Sequence, residues 1–124
     1  MQLARGTMTP NGMTLGRAIA TARKAKGLSQ KDLAAKILKE DGEGPISPQY
    51  LNDIEHDRRS PTTDHLILQF AHVLDKDPGY LFVLAGKIPE DMRRTLASER
   101  DISKSFANFR RDLKKVRGKT EEWS

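Results

Sequence analysis

The stretch GLSQKDLAAKILKEDGEGPISPQYLNDIEHDRR, residues 27–59, decides the fold. Its first half opens on Ser29, whose hydroxyl suits the orphan N–H groups of a helix start, and Asp32 stands three residues on, where a capping-box acid reaches back. Leu33 and Ile37 lie four apart with Ala34 beside them, which gives a short helix one narrow apolar stripe. The second half opens on Ser47, another N-cap, with Pro48 at the first helical position, where a missing N–H costs nothing. Leu51 and Ile54 face inward, while Gln49, Tyr50, Asn52, Asp53 and His56 face outward or flank the contact. A short helix that commits only two large side chains to a core either displays the others or merely solvates them. Taken alone, the pattern fits an ordinary solvated face better.

The spaced motifs decide otherwise. Gly27-Leu28-Ser29-Gln30, Leu33-Ala34, Ser47, Tyr50-Leu51, Ile54-Glu55 and Arg59-Ser60-Pro61 occur in an order that resembles the Cro/C1-type helix-turn-helix, or XRE, family, over about residues 15–84. The resemblance implies an all-α chain: a five-helix lambda-repressor-like helix-turn-helix domain followed by a C-terminal helical extension. We divide it into a disordered tail (1–12), the helix-turn-helix domain (13–88), a C-terminal helical dimerisation or packing segment (89–118) and a frayed tail (119–124). The largest departure from the family pattern lies between the two halves. Ser29 and Ser47 are 18 apart, where the family has roughly a dozen, which predicts a second helix longer by a turn, then a Gly/Pro loop over 39–46. Ile46 is expected in the core, and Glu40, Asp41 and Glu43 must point away from any phosphate.

Composition sets the outer bounds. The 124 residues carry 31% charged and 36% hydrophobic side chains, ordinary for one compact unit with tails. There is no cysteine, so a disulfide framework, a thiolate metal site and a cysteine nucleophile are excluded, and a reducing cytosol is compatible. His56, His65 and His72 are scattered and read as ordinary packing rather than a metal set. No apolar run reaches membrane-spanning length and the first dozen residues lack a signal-peptide core, so a cytoplasmic, nucleoid-associated protein is expected. The net charge of +5 is uneven: residues 1–27 hold five bases and no acid, 28–86 six bases against ten acids, and 87–124 eleven against seven. Basic ends around a mildly acidic middle suit contact with phosphates through selected arms; simple solubility charge fits as well.

Outward from the central pair, a first helix is expected over about 14–25, burying Leu15, Ile19 and Ala22 and stopped by Gly27. A fourth helix should run from Thr62 or Thr63 to Leu74 on Leu66, Ile67, Phe70, Ala71, Val73 and Leu74, leaving Leu68 and His72 as a ridge. A fifth should start at Asp77-Pro78 and end at Gly86, with Tyr80, Leu81, Val83 and Leu84 as its apolar positions and Phe82 left to cover the next segment. Pro89-Glu90-Asp91 opens the C-terminal segment. Beyond it Ile102, Phe106, Phe109, Leu113 and Val116 recur at spacings of 4, 3, 4 and 3, the a/d seam of an associating helix. That seam is too short to stand alone. Packing onto Leu68 and Phe82 of the same chain is one reading; pairing with a second copy is the other, favoured because the family generally binds as dimers.

The resemblance also implies roles. An arginine at the place of Arg23 pairs in the family with a glutamate at the place of Glu55, a structural clamp, which leaves Arg17 and Lys24 for phosphate. Ser47, Gln49, Tyr50 and Asn52 are expected nearest the base edges of double-stranded operator DNA. Gln30, Lys31, Arg58 and Arg59 are expected on the phosphates. No arginine sits on the reading face, so A·T contacts and duplex shape should dominate. The expected function is a homodimeric transcriptional regulator, a repressor, on a palindromic operator. A second class is a protein-interaction module, with a toxin or a metallopeptidase as partner: residues 75–94 resemble regulators encoded beside zinc metallopeptidases that cleave them. No nucleophile-base pair, metal set or phosphate-cradling glycine loop is legible, so neither an enzyme nor a cofactor is expected.

Overall fold

Each helix of the N-terminal part begins where a small polar side chain closes an orphan N–H, and the computed structural model, which describes residues 12–61, 63–96 and 98–122, bears this out element by element. Helix α1 (Leu15–Ala25) is capped by Thr14, whose Oγ1 accepts from the Arg17 N–H at 3.1 Å. Helix α2 (Gln30–Lys36) carries the full capping box: the Ser29 hydroxyl accepts from the Asp32 N–H at 2.9 Å, and the Asp32 carboxylate accepts from the Ser29 N–H at 3.0 Å. Helix α3 (Pro48–Glu55) is capped by Ser47, α4 (Asp64–Leu74) by Thr63 and α5 (Pro78–Ala85) by Asp77. Gly86, at φ +70°, ends α5 in the left-handed conformation that glycine adopts without a Cβ penalty. Among the described residues there are seven helices and no strand beyond one isolated bridge.

Two compact units divide at Pro89. In the first, α1 packs against α3, α4 and α5, while α2 lies on α3 and α5 on α4. Leu15, Ala18, Ile19 and Ala22 of α1 meet Leu33, Ala34, Leu51, Ile54, Ile67 and Phe70 in one buried cluster. Fully burying a side chain of the size of Ile19 or Phe70 stabilises the fold by about 1.5–3 kcal/mol.

Two expectations fail here. The second helix is not extended: α2 stops after Lys36, and Ile37 takes an extended backbone (φ −107°, ψ 112°). Residues 37–46 instead double back, the Ile46 N–H donating to the Ile37 carbonyl and the Lys39 N–H to the Gly44 carbonyl, both at 2.8 Å, with Leu38 and Pro45 bridged antiparallel. This arrangement lets Ile37 and Ile46 both enter the core, at 0% and 4% exposure, from the two ends of one small hairpin. Gly42 and Gly44, at φ +80° and +97°, turn its tip. Gln69 of α4 holds the hairpin as a strand would: its Oε1 accepts from the Leu38 N–H at 2.8 Å, and its amide nitrogen donates to the Leu38 carbonyl.

The second correction concerns α5. Phe82 belongs to the core at 3% exposure, whereas Val83 is 58% and Tyr80 40% exposed. At about 100° per residue, Leu81, Phe82, Leu84 and Ala85 share one side of the helix and Tyr80 and Val83 the other. Phe82 therefore has the place in the core that the pattern of α5 did not give it.

The second unit holds α6 (Glu90–Thr95) and α7 (Glu99–Glu122). The latter is one helix of 24 residues, and its backbone continues through Gly118 over residues where we expected a frayed tail. Ile102, Phe106, Phe109, Leu113 and Val116 are all exposed. The expected N-terminal tail lies outside the described residues except for Gly12.

Candidate nucleic-acid interface

Helix α3 is fixed at its C-terminal end and displayed at its N-terminal end. The fixing starts with Gly16, which lets α1 meet the end of α3 backbone to backbone: a Cβ there would lie 2.2 Å from the Ile54 carbonyl oxygen and 2.6 Å from Asp57 Oδ1. Asp57 follows α3 in the left-handed conformation (φ 60°) that aspartate tolerates better than most residues. Its carboxylate accepts from the Thr14 hydroxyl at 2.8 Å and the Gly16 N–H at 3.3 Å, which ties the start of α1 to the end of α3. Nothing in the sequence reading marked Asp57. Its position just past a helix end was the only available signal.

The Arg23–Glu55 clamp expected from the family pattern is present. Arg23 Nε donates to Glu55 Oε2 at 2.7 Å and Nη2 to Oε1 at 2.9 Å, a bidentate pair, while Nη1 donates to the Leu28 carbonyl at 2.9 Å. Both side chains are buried, at 11% and 3% exposure. The Glu55 hydrogen bond holds the Arg23 guanidinium pKa above its usual range despite burial.

Glu55 also sets the orientation of two amides. A carboxylate only accepts, so the Gln30 side chain must turn its NH2 to Glu55 Oε1, at 2.9 Å. The same nitrogen donates to Asn52 Oδ1 at 3.1 Å. Asn52 therefore meets Gln30 with its oxygen, and its NH2 donors are the groups turned to other partners. By the same logic Gln49, whose Nε2 donates to Asp53 Oδ1 at 3.1 Å, keeps its oxygen and a second N–H.

At the displayed end Ser47, Pro48 and Gln49 are exposed, as is Lys31 in the first turn of α2. Tyr50 is half-buried against the core, and burial raises its phenol pKa. The Arg59 guanidinium lies over its ring, 5.6 Å from the centroid. Arg58 and Arg59, 55% and 64% exposed, both reach Asp53, through Arg58 Nη2 at 3.1 Å and Arg59 Nε at 3.9 Å. Of the ten residues expected at the DNA or in the clamp, all but Ser47 and Lys31 thus fall into two groups. Gln30, Asn52, Glu55 and Arg23 form one bonded chain from α1 to α3, and Gln49, Tyr50, Arg58 and Arg59 gather around Asp53. The hydrogen-bonded role of Asp53 was not foreseen.

Elsewhere two of the three histidines are hydrogen-bonded to backbone: His56 Nδ1 lies 2.8 Å from the Asn52 carbonyl and His65 Nε2 3.1 Å from that of Leu38. No group of three or more His, Cys, Asp or Glu among the described residues has the arrangement of a metal site. No described helix is long and apolar enough to cross a membrane.

Residues 19–81 match the helix-turn-helix family model. Among solved structures, the clp gene regulator ClgR from Corynebacterium glutamicum is 21% identical, with 82% of this chain and 84% of that one covered at a TM-score of 0.43. A chain of the SinR protein/SinI protein complex is 26% identical, with 86% of this chain and 99% of that one covered at a TM-score of 0.46. No curated protein matches the chain.

Proposed function

This chain belongs to the Cro/C1-type helix-turn-helix family of DNA-binding transcriptional regulators, and from that premise we propose that it is a repressor that binds a two-fold-related operator as a homodimer. In this reading α3 enters the major groove N-terminus first. Ser47, Gln49, Tyr50 and Asn52 meet base edges, and Gln30, Lys31, Arg58 and Arg59 lie along the phosphates. The observation that carries the reading is mechanical: α3 is clamped by buried bonds at Glu55 while Ser47, Pro48 and Gln49 stand exposed at its other end.

The amide orientations refine the expected readout. Gln49 retains the acceptor and donor pair that matches adenine N6 and N7. Asn52, donor outward, suits an acceptor such as adenine N7 or thymine O4 rather than a bidentate contact. Gln30, whose amide nitrogen is engaged by Glu55 and Asn52, serves a phosphate only through its backbone N–H and acts mainly as the brace of Asn52.

Selection of bound fragments from random duplex DNA tests the proposal. A palindromic A·T-rich consensus is the expected result. Recovery of sequences with no dyad, or none above background, would overturn it. The exposed apolar residues of α7 supply the dimer seam in this reading. They equally suit a partner protein, such as a toxin or a metallopeptidase that controls the regulator; sedimentation of the isolated chain separates the two, since only self-pairing gives a dimer without the partner.

A further inference from the structure

We propose that Asp53 is an internal stand-in for a DNA phosphate. Its carboxylate competes with the duplex for Arg58 and Arg59, and it orients Gln49 for base contact. The inference rests on the reading of α3 as the recognition helix.

Asp53 accepts from Gln49 Nε2 at 3.1 Å and from Arg58 Nε at 3.2 Å, and it pairs with Arg58 Nη2 at 3.1 Å and Arg59 Nε at 3.9 Å. Its backbone joins in, the carbonyl accepting from the Arg58 N–H at 2.9 Å and the Arg59 N–H at 3.3 Å. The two-arginine turn is therefore folded onto this one residue by main chain and side chain together. The helix dipole works against an acid at this place, in the last turn of α3, so what favours the carboxylate is its bonds to Gln49 one turn back and to the two arginines. Apolar packing does not favour it, since Asp53 stands outside the buried apolar cluster. What the carboxylate does offer is the oxygen geometry and charge that a phosphate would present to the same guanidinium groups.

Two consequences separate cleanly. Arginine held by Asp53 meets DNA with fewer donors and with part of its charge already offset, so the carboxylate lowers affinity for every sequence. The bond to Gln49 turns the Gln49 oxygen outward, so its loss affects sequence discrimination. Asp53→Asn keeps an acceptor oxygen for Gln49 and removes the charge; Asp53→Ala removes both.

The test is binding of the full chain and its variants to a random-sequence duplex and to a duplex recovered by selection, across a salt series. Asp53→Asn is expected to tighten binding to both duplexes by the same factor, on the order of 3- to 10-fold, with a salt dependence steeper by about one unit. Asp53→Ala is expected to tighten random-duplex binding similarly while the preference for the selected duplex falls about 5- to 10-fold. In an Arg58→Ala/Arg59→Ala background the gain from Asp53→Asn is expected to vanish. Asp53→Glu, which keeps the charge, is expected to keep the wild-type salt slope. A wild-type chain that binds while Asp53→Asn changes neither affinity nor slope overturns the role of Asp53 alone. So does a gain that survives loss of both arginines, which would mark a general field rather than competition. A wild-type chain that binds neither duplex overturns this inference and the recognition-helix reading together.

Discussion

At the scale of single residues, the buried pair and the exposed amide make opposite kinds of contribution. Arg23 and Glu55 are out of water, so removing one partner strands the other charge. Glu55→Ala is expected to lower the unfolding free energy by about 3–5 kcal/mol in urea titrations. It also frees Gln30, and with it the amide of Asn52. A loss below about 1 kcal/mol would mean that the pair behaves as a surface one. Gln49 is exposed and its loss should leave stability alone. Gln49→Ala is expected to cost about 1–3 kcal/mol of discrimination between the selected duplex and a single-base variant in competition gel shifts, with unchanged thermal unfolding. The Arg23–Glu55 pair was legible in the sequence, because the family pattern joins those two positions. The bonding of the amides was not. Gln30 and Asn52 meet across 22 positions, and the orientation of both amides depends on a carboxylate that arrives from the clamp.

At the scale of elements, local chemistry was legible wherever one residue fixes a boundary. Ser29, Ser47 and Asp77 were expected as caps and are caps, because a side-chain oxygen and, at two of them, a following proline settle a helix start without tertiary help. The cap at Ser29 gives a prediction with a sign. Its bonds from Ser29 backbone and hydroxyl hold the Asp32 carboxyl below the usual aspartate range. A folded-state pKa below the unfolded one means that the contribution is complete above the unfolded value and is lost as pH falls through the folded one. The stability difference between wild type and Asp32→Ala is therefore expected to hold from neutral pH down to the usual aspartate range and to disappear below it. A nuclear magnetic resonance titration of the Asp32 carboxyl gives the midpoint; a difference that persists in stronger acid would break the link. Tertiary demand explains the two misreadings. Ile37 and Ile46 both enter the core only if the chain between them doubles back, and an apolar run as short as Ile37-Leu38 does not choose helix or strand by period. In α5 every residue from Tyr80 to Ala85 is apolar or nearly so, and contact with α1 and α4, not the pattern, selects Phe82 over Val83.

At the scale of the whole molecule, the division at Pro89 separates a unit with a buried apolar core from one whose long helix leaves its apolar residues exposed. The first unit contains the entire buried cluster, from Leu15 to Leu84. In the second, Ile102, Phe106, Phe109, Leu113 and Val116 are between 41% and 62% exposed along one helix. Substituting Phe106→Ser and Phe109→Ser together should therefore leave the thermal unfolding of the first unit unchanged while abolishing self-association in sedimentation equilibrium. The consequence for DNA binding follows from linkage. In the proposed dimer two recognition helices are joined, so the second half-site is bound intramolecularly and avidity exceeds that of a single domain by about 10²–10⁴. The double variant is expected to lose affinity for a palindromic duplex by a factor in that range and to keep its affinity for a single half-site. A full chain that sediments as a monomer while binding the palindrome tightly would sever the seam from the dimer. Equal loss on both duplexes would show instead that the substitutions had damaged the reading domain.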